Sequence, residues 1–318
     1  MRLFLQSLSA LVLSFAVVGC VSPVKVDDSG AVKPGTNKSG VFFKTANADV
    51  TGSVKALKNQ KTVFIPLYEV MYVKKSRSVE SASPVLGSAK EGVKVRADVE
   101  LLGVNDSTFQ QITNEAYADF RQKLQAAGYT IIDDQKVQSH PKYADMKQRF
   151  PDTGSKKSTF AAPGQTKPSL LATGLVYGKL CTDLNAVLLS PEMAVDHTAY
   201  AGKSKWLFNS GSAKINLGQC AHAGGRLSVV TTKGGGYLQL GQPTYSEKTF
   251  GTYEEDTSAV IVATETAVKA LSVLAGGTTS TTKQYKLHAD QAKYKAAALD
   301  ALKEANTRFV NAMVEQSK

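Results

Sequence analysis

The sequence predicts an α+β fold, a mixed or antiparallel sheet packed with amphipathic helices behind a flexible N-terminal tether. Two periodicities carry this. Val93, Val95, Ala97, Val99 and Leu101 alternate with Lys94, Arg96, Asp98 and Glu100, the period of two that marks a strand with one solvated face. Phe109, Ile112, Ala116, Phe120, Leu124 and Ala127 recur at three- and four-residue steps, which stack on one side of a helix. Composition bounds the rest. A chain of 318 residues that is 42% hydrophobic and 20% charged is neither a disordered polyampholyte nor a collagen-like repeat. Its 8% aromatic content and single Trp argue against a dense aromatic core.

The first segment to justify is residues 1–19. Arg2 is followed by Leu3-Phe4-Leu5 and an apolar run from Leu8 to Val18, the charged and apolar regions of an export signal. The run is shorter than the ~20 residues a spanning helix needs. It ends at Val17-Val18-Gly19-Cys20, which resembles the lipobox of bacterial lipoproteins. That resemblance implies cleavage before Cys20, acylation of its thiol with chains of the palmitate kind, and a mature protein held by lipid rather than by a spanning helix. Two or three chains anchor far more firmly than one, because each buried methylene contributes about 0.8 kcal/mol. Val21-Ser22 replace the Asp that retains such proteins at the inner membrane, so the outer membrane is the expected address, facing the periplasm or the cell surface.

Residues 20–53, rich in Ser, Gly, Pro, Lys and Asp, read as the tether. Charge is uneven along the chain. The formal net charge is +11, or +10 once residues 1–19 and their one Arg are removed. Residues 21–90 hold eleven Lys or Arg against five Asp or Glu. Beside a lipid anchor, Lys55, Lys58, Lys61, Lys74, Lys75 and Arg77 are candidates for gripping an anionic membrane surface, at about 1 kcal/mol per charge; the alternative is that they solvate a surface. Nucleic acid is a poor reading, since neither a basic helix nor an aromatic RNA-binding pattern is present.

The part expected over 54–150 starts with a strand over Thr62–Val73, where Pro66 implies an edge or bulge. A Ser-rich loop follows from Ser76 to Ser88, then the alternating strand at 93–101. Ser107-Thr108-Phe109-Gln110 resembles a capping box, and Gly128 supplies a left-handed stop before a short strand at 129–132. Residues 151–168, with three Pro and two Gly, mark a boundary.

The part expected over 169–318 is β-rich and carries two C-terminal helices. Strands are expected at 170–180 and 186–189, and at 226–232 paired with 237–240 across Lys233-Gly234-Gly235-Gly236. A helix is expected over 257–275, a polar linker at Thr278–Thr282, and a final helix with Tyr294, Ala298, Leu302, Ala305, Phe309 and Ala312 on one face. That seam is expected to pack back on the sheet rather than form a coiled coil.

With Cys20 acylated, Cys181 and Cys220 remain. An even pair in an oxidising compartment favours a disulfide, and neighbouring strands would bring the two together; buried free thiols are the alternative. Cys220-Ala221-His222 offers two metal ligands without a third or fourth at zinc-site spacing. Other chemistries lack their partners. Asp152-Thr153-Gly154-Ser155 has no second copy to share a proton and reads as a turn. Ser280-Thr281-Thr282-Lys283 has none of the companion motifs of penicillin-binding enzymes. Gly234-Gly235-Gly236 lacks the Lys-Ser/Thr of a phosphate loop. No catalytic residue, metal or cofactor is therefore assigned, and the chain reads as a non-enzyme.

The order of lipobox, tether, strand, excursion, helix ending Ala126-Ala127-Gly128-Tyr129, short strand, later hairpin and C-terminal helices is similar to the periplasmic part of curli-secretion channel lipoproteins, across about residues 60–316. Membrane strands of such channels need an apolar face over about 9–11 residues. Lys203, Lys205, Lys214 and Lys248 interrupt 199–217 and 233–250, so a scaffold of similar build is expected rather than a pore. The functional expectation is a non-catalytic outer-membrane lipoprotein that binds or scaffolds envelope proteins or anionic lipids; the alternative is a ring-forming homo-oligomeric subunit of a secretion or surface assembly.

Overall fold

The computed structural model describes residues 25–26, 32–33, 49–82, 92–144, 150–167, 173–207, 210–255, 271–277 and 280–317. The fold is α+β, with parallel and antiparallel pairings mixed in the same sheets. Beyond a two-stranded pair, β1 (Lys25–Val26) and β2 (Val32–Lys33), within the segment expected as tether, two sheets organise the chain. The main sheet runs β3 (Val50–Ser53), β13 (Gly234–Leu240), β12 (Ser210–Thr231), β11 (Val187–Leu207), β5 (Glu69–Val73), β10 (Lys157–Ala161) and β9 (Asp152–Thr153). Off this path, β4 (Thr62–Phe64) pairs with β11 and with β8 (Thr130–Ile131), while β14 (Thr244–Tyr245) and β16 (Leu271–Gly277) pair with β12. The second sheet is β15 (Gly251–Glu255), β17 (Ser280–Ala289), β7 (Val93–Leu102) and β6 (Lys75–Ala82). The segments 54–150 and 169–318 thus interleave: β5 pairs in parallel with β11, and β7 in parallel with β17.

The expected strand over 62–73 is two strands separated by Pro66. Pro offers no N–H to a ladder, and side chains take over its bonding. The Tyr68 N–H donates to Gln165 Oε1 at 2.6 Å, Gln165 Nε2 donates to the Ile65 carbonyl at 3.0 Å, and the Tyr143 hydroxyl donates to the Pro66 carbonyl at 2.8 Å.

Helix α1 (Asp106–Ala126) follows β7. Its N-cap is Asn105 rather than Ser107: Asn105 Oδ1 accepts the Thr108 N–H at 2.9 Å, the side-chain cap that an orphan first-turn N–H requires. Gly128, at φ 80, ends it as expected. The short helices α2 (Asp134–Gln138) and α3 (Pro141–Ala144), then α4 (Thr173–Leu184), follow. The last helix, α5 (Gln291–Gln316), buries Tyr294, Ala298, Leu302, Ala305 and Phe309 and packs on α1 and on the main sheet, as the seam predicted.

Several segments differ from their local pattern. Residues 173–184 form α4 instead of a strand; the apolar run at 175–181 has no alternation to distinguish a buried strand from a buried helix. Ser76–Ala82 is an edge strand of the second sheet, not a loop. Residues 280–289 form β17 rather than a linker. Of the expected helix over 257–275, residues 257–270 lie outside the described residues, and 271–275 belong to β16. β-branched and hydroxyl residues fit a pleated ladder when a partner strand is present, and in these segments tertiary pairing decided the state.

The core under the helices is aromatic despite the composition. Tyr72 stacks on Phe109 at 4.5 Å between centroids, and Phe109 also meets Phe160 and Tyr294 at 6.0 and 6.1 Å. Phe250 meets Tyr294 edge-on at 5.2 Å. Few aromatics suffice because they are concentrated on one side of the main sheet.

Candidate functional site

The longest strands, β11 and β12, form one antiparallel hairpin. Its first half is ordinary sheet: residues 187–195 pair with β4 and β5 on one side and β12 on the other. At Asp196 the register shifts. Asp196 faces His222, but Thr198 faces Gln219, so Cys220 and Ala221 both oppose His197. An extra residue on one strand bends a ladder and increases its twist. Three acceptors and donors hold this bulge. The Asp196 carboxylate accepts the N–H groups of His197 at 2.6 Å and Thr198 at 3.2 Å, and the Ser76 hydroxyl from the second sheet at 3.1 Å.

Both imidazoles at the bulge are buried. His197 Nδ1 lies 3.0 Å from the Val73 carbonyl and His222 Nδ1 3.2 Å from the Cys220 carbonyl, so each ring carries a proton on Nδ1 as donor. Burial holds the pKa of each below the usual histidine value, although the Asp196 charge acts in the opposite direction; desolvation dominates because a charged ring loses its hydration.

Beyond the bulge, residues 198–207 of β11 run on for about 33 Å at ~3.3 Å per residue, paired among the described residues to β12 alone. Residues 211–217 of β12 in turn pair with β16. Among the described residues the result is a three-stranded distal sheet in which neither β11 nor β16 has a second partner strand. The register sorts its residues into two alternating sets. One holds Tyr200, Gly202, Ser204 and Trp206 opposite Leu217, Ile215, Ala213 and Gly211, with Leu271, Val273 and Ala275 of β16 in line. The other holds Lys203 opposite Lys214 and Lys205 opposite Ser212. The lysines expected to interrupt an apolar face all occupy the opposite set, and Lys248 lies outside the strands, 2.6 Å from Asp300. Counting them as interruptions assumed no register; with a side-chain period of two, parity decides the face.

Ala213, Ile215 and Leu217 are buried, with Tyr200 packed against the same core, and β11, β12 and β16 contact β6 and β7 of the second sheet. Gly202 lies against the Glu80 side chain of β6: a Cβ would fall 2.0 Å from Glu80 Oε2, so a larger residue here would displace that carboxylate. The strand β1, five residues beyond Cys20, contacts β11 and β12.

A second polar cluster lies at the centre of the main sheet, and no sequence motif announced it. Register places Glu192 beside both Glu69 and Arg226. Lys167 Nζ sits 3.0 Å from Glu69 and 3.7 Å from Glu192, and Arg226 Nη2 lies 3.0 Å from Glu192. Burial raises the Glu69 pKa, and the Lys167 charge only partly offsets this. Two cations balance two carboxylates, so the cluster ties residue 167 to the sheet rather than leaving an unpaired acid or base for catalysis.

The remaining sequence candidates are dispersed. Cys20 lies outside the described residues. Cys181 and Cys220 are free and buried, which corrects the expected disulfide. Cys181 is on α4, its thiol donating to the Val230 carbonyl at 3.3 Å, while Cys220 is ten residues away along β12, about 30 Å at strand rise. Burial pushes both thiols up to about 12. The six basic candidates fall into two groups. Lys55, Lys58 and Lys61 precede β4, level with Val187, whereas Lys74, Lys75 and Arg77 follow β5, level with Asp196. Eight residues of β11 separate the two levels, about 26 Å.

Asp152-Thr153 are strand β9 and Gly154-Ser155 open the β9–β10 turn, with the Gly154 N–H donating to the Lys157 carbonyl at 2.9 Å. Lys283, the base of the Ser-x-x-Lys pattern, pairs with Glu255. Gly234–Gly236 belong to β13, so the turn expected across 233–236 is shorter and closes at Thr231 and Gly234. Among the described residues no three His, Cys, Asp or Glu side chains converge as metal ligands, and no helix is long and apolar enough to cross a membrane. No protein-family model and no curated protein matches this chain.

Proposed function

We propose that this chain is a non-catalytic lipoprotein of the bacterial outer membrane, anchored through acylated Cys20, whose copies assemble edge to edge into a ring that scaffolds an envelope apparatus. One observation carries the ring: among the described residues the distal sheet ends in two edges of different sequence with no further partner strand, β11 from Thr198 to Leu207 and β16. An open edge presents unpaired N–H and C=O groups that template a further strand. Two unlike edges pair head to tail, and a head-to-tail contact with rotation closes a ring rather than an isologous dimer. The lipobox supports the anchor, and the position of β1 against β11 and β12 keeps that anchor near the same hairpin.

The test is size and shape of the lipidated protein in mild detergent. A uniform ring supports the reading, and a monomer at all concentrations sinks it. Proline at Lys203 or at Ser204 sharpens the result. Adjacent residues of an antiparallel strand direct their N–H groups to opposite sides, so one of the two substitutions should block assembly while leaving the fold intact.

A further inference from the structure

We infer that the outer face of the second sheet, continued by the β9–β10 turn, is an electrostatic docking face for an anionic, phosphate-bearing bilayer. The inference rests on the anchored-lipoprotein reading but not on the ring. Along β6 and β7, Ser76, Ser78, Val93, Val95 and Ala97 point inward and are buried, while Lys75, Arg77, Arg96, Asp98 and Glu100 alternate with them outward. The fold adds charges that are distant in sequence: the Lys156 carbonyl accepts the N–H groups of both Lys74 and Lys75, at 2.8 and 3.1 Å, and Lys157 pairs with Val73. Six cations, Lys74, Lys75, Arg77, Arg96, Lys156 and Lys157, therefore adjoin two carboxylates. Glu100 is engaged by Lys75 at 3.2 Å, and Asp98 is shared by Arg77 at 2.8 Å and Arg96 at 2.5 Å. Lys74, Lys156 and Lys157 have no ion-pair partner among the described residues.

A surplus of four charges spread over one face matches a surface of many phosphates. Tethering supplies the encounter. β1 begins five residues beyond Cys20 and contacts β11 and β12, which in turn contact β6 and β7, so acylated Cys20 keeps this sheet close to headgroups.

The test uses the full mature chain carrying Cys20→Ser, so that acyl chains do not mask the headgroup interaction, and flotation with vesicles of phosphatidylethanolamine and phosphatidylglycerol or of phosphatidylcholine alone. The wild-type face should bind only the anionic vesicles and release with added salt. The combined variant Lys74→Gln, Arg77→Gln, Lys156→Gln and Lys157→Gln should weaken binding by about tenfold or more. Lys55→Gln, Lys58→Gln and Lys61→Gln, at the far end of the sheet, should change it less than about twofold. If the combined variant melts early, Lys156→Gln with Lys157→Gln in the turn gives the same direction. Equal losses from both ends, retained binding in the combined variant, or displacement by inorganic phosphate at matched ionic strength would overturn the inference. Mass spectrometry of native Cys20 fails or succeeds separately, so an unmodified Cys20 with face-dependent vesicle binding removes only the lipoprotein reading.

Discussion

The two sides of this molecule bury different chemistry. Under α1 and α5 the main sheet meets Tyr72, Phe109, Phe120, Phe160 and Phe309, all essentially inaccessible, and their polar ends are bonded inside. The Tyr68 hydroxyl donates to Asn306 Oδ1 at 3.1 Å, Asn306 Nδ2 donates to the Ala116 carbonyl and to Asp119 at 2.9 Å, and Tyr72 and Thr113 share a 2.9 Å bond. At the distal hairpin the layer is thinner: Ala213, Ile215 and Leu217 against Val93, Val95 and Ala97, with Ser76 and Ser78 included. Large rings lose more water-exposed area on burial than alanine or serine, so the helix-covered side holds the fold and the distal sandwich is the more easily opened part. The difference teaches where assembly can exchange contacts at low cost: at the sandwich, where open edges already lie.

The largest effect should come from the aromatic side. Phe109→Ala removes a ring that touches three others and should cost about 3–5 kcal/mol, measured by urea unfolding; a loss under about 1 kcal/mol would erase the contrast. Ile215→Ala in the sandwich should cost less, about 2–3 kcal/mol. It should speed hydrogen exchange in β11 and β12 beyond the bulge before it affects α1 or α5, and uniform acceleration would contradict the division.

Acid sharpens the comparison further, because both buried imidazoles sit at the root of the distal sheet. Their folded pKa values are depressed, so the unfolded chain binds more protons once pH falls below about 6.5, and stability present above that pH is lost on acidification. Each ring can contribute up to about 1.4 kcal/mol per pH unit. Glu69 acts oppositely: its raised folded pKa makes the folded state bind more protons, adding stability as pH falls towards the unfolded glutamate value. The two histidines outnumber it, so acidification is expected to lower the melting temperature between pH 7 and 5.5, and His197→Gln with His222→Gln should flatten or reverse the slope. Asn105→Ala, which removes the α1 cap, should cost about 1 kcal/mol in the same assay. The smallest effect is that of a reductant: with Cys181 and Cys220 about 30 Å apart along β12, dithiothreitol should leave the melting temperature unchanged, and a clear drop would require them to be bonded.

Local sequence determined much of this protein. The alternation at 93–101 is β7, the stripe from Phe109 to Leu124 is the buried side of α1, and Tyr294 to Phe309 is the packed seam of α5, since each pattern repeats at its element's own period. What only the tertiary structure decided are the properties that depend on a partner strand. Segment 173–184 became a helix because the sheet positions beside β11 are occupied by β4, β5 and β12. Residues 280–282, part of the expected polar linker at Thr278–Thr282, became the start of β17 because β7 supplied a ladder. Parity of Lys203, Lys205 and Lys214, the separation of the two cysteines, and the meeting of Lys156 with Lys74 all follow from register and topology. Those are set by which distant segments pair, and no window of neighbouring residues contains that information.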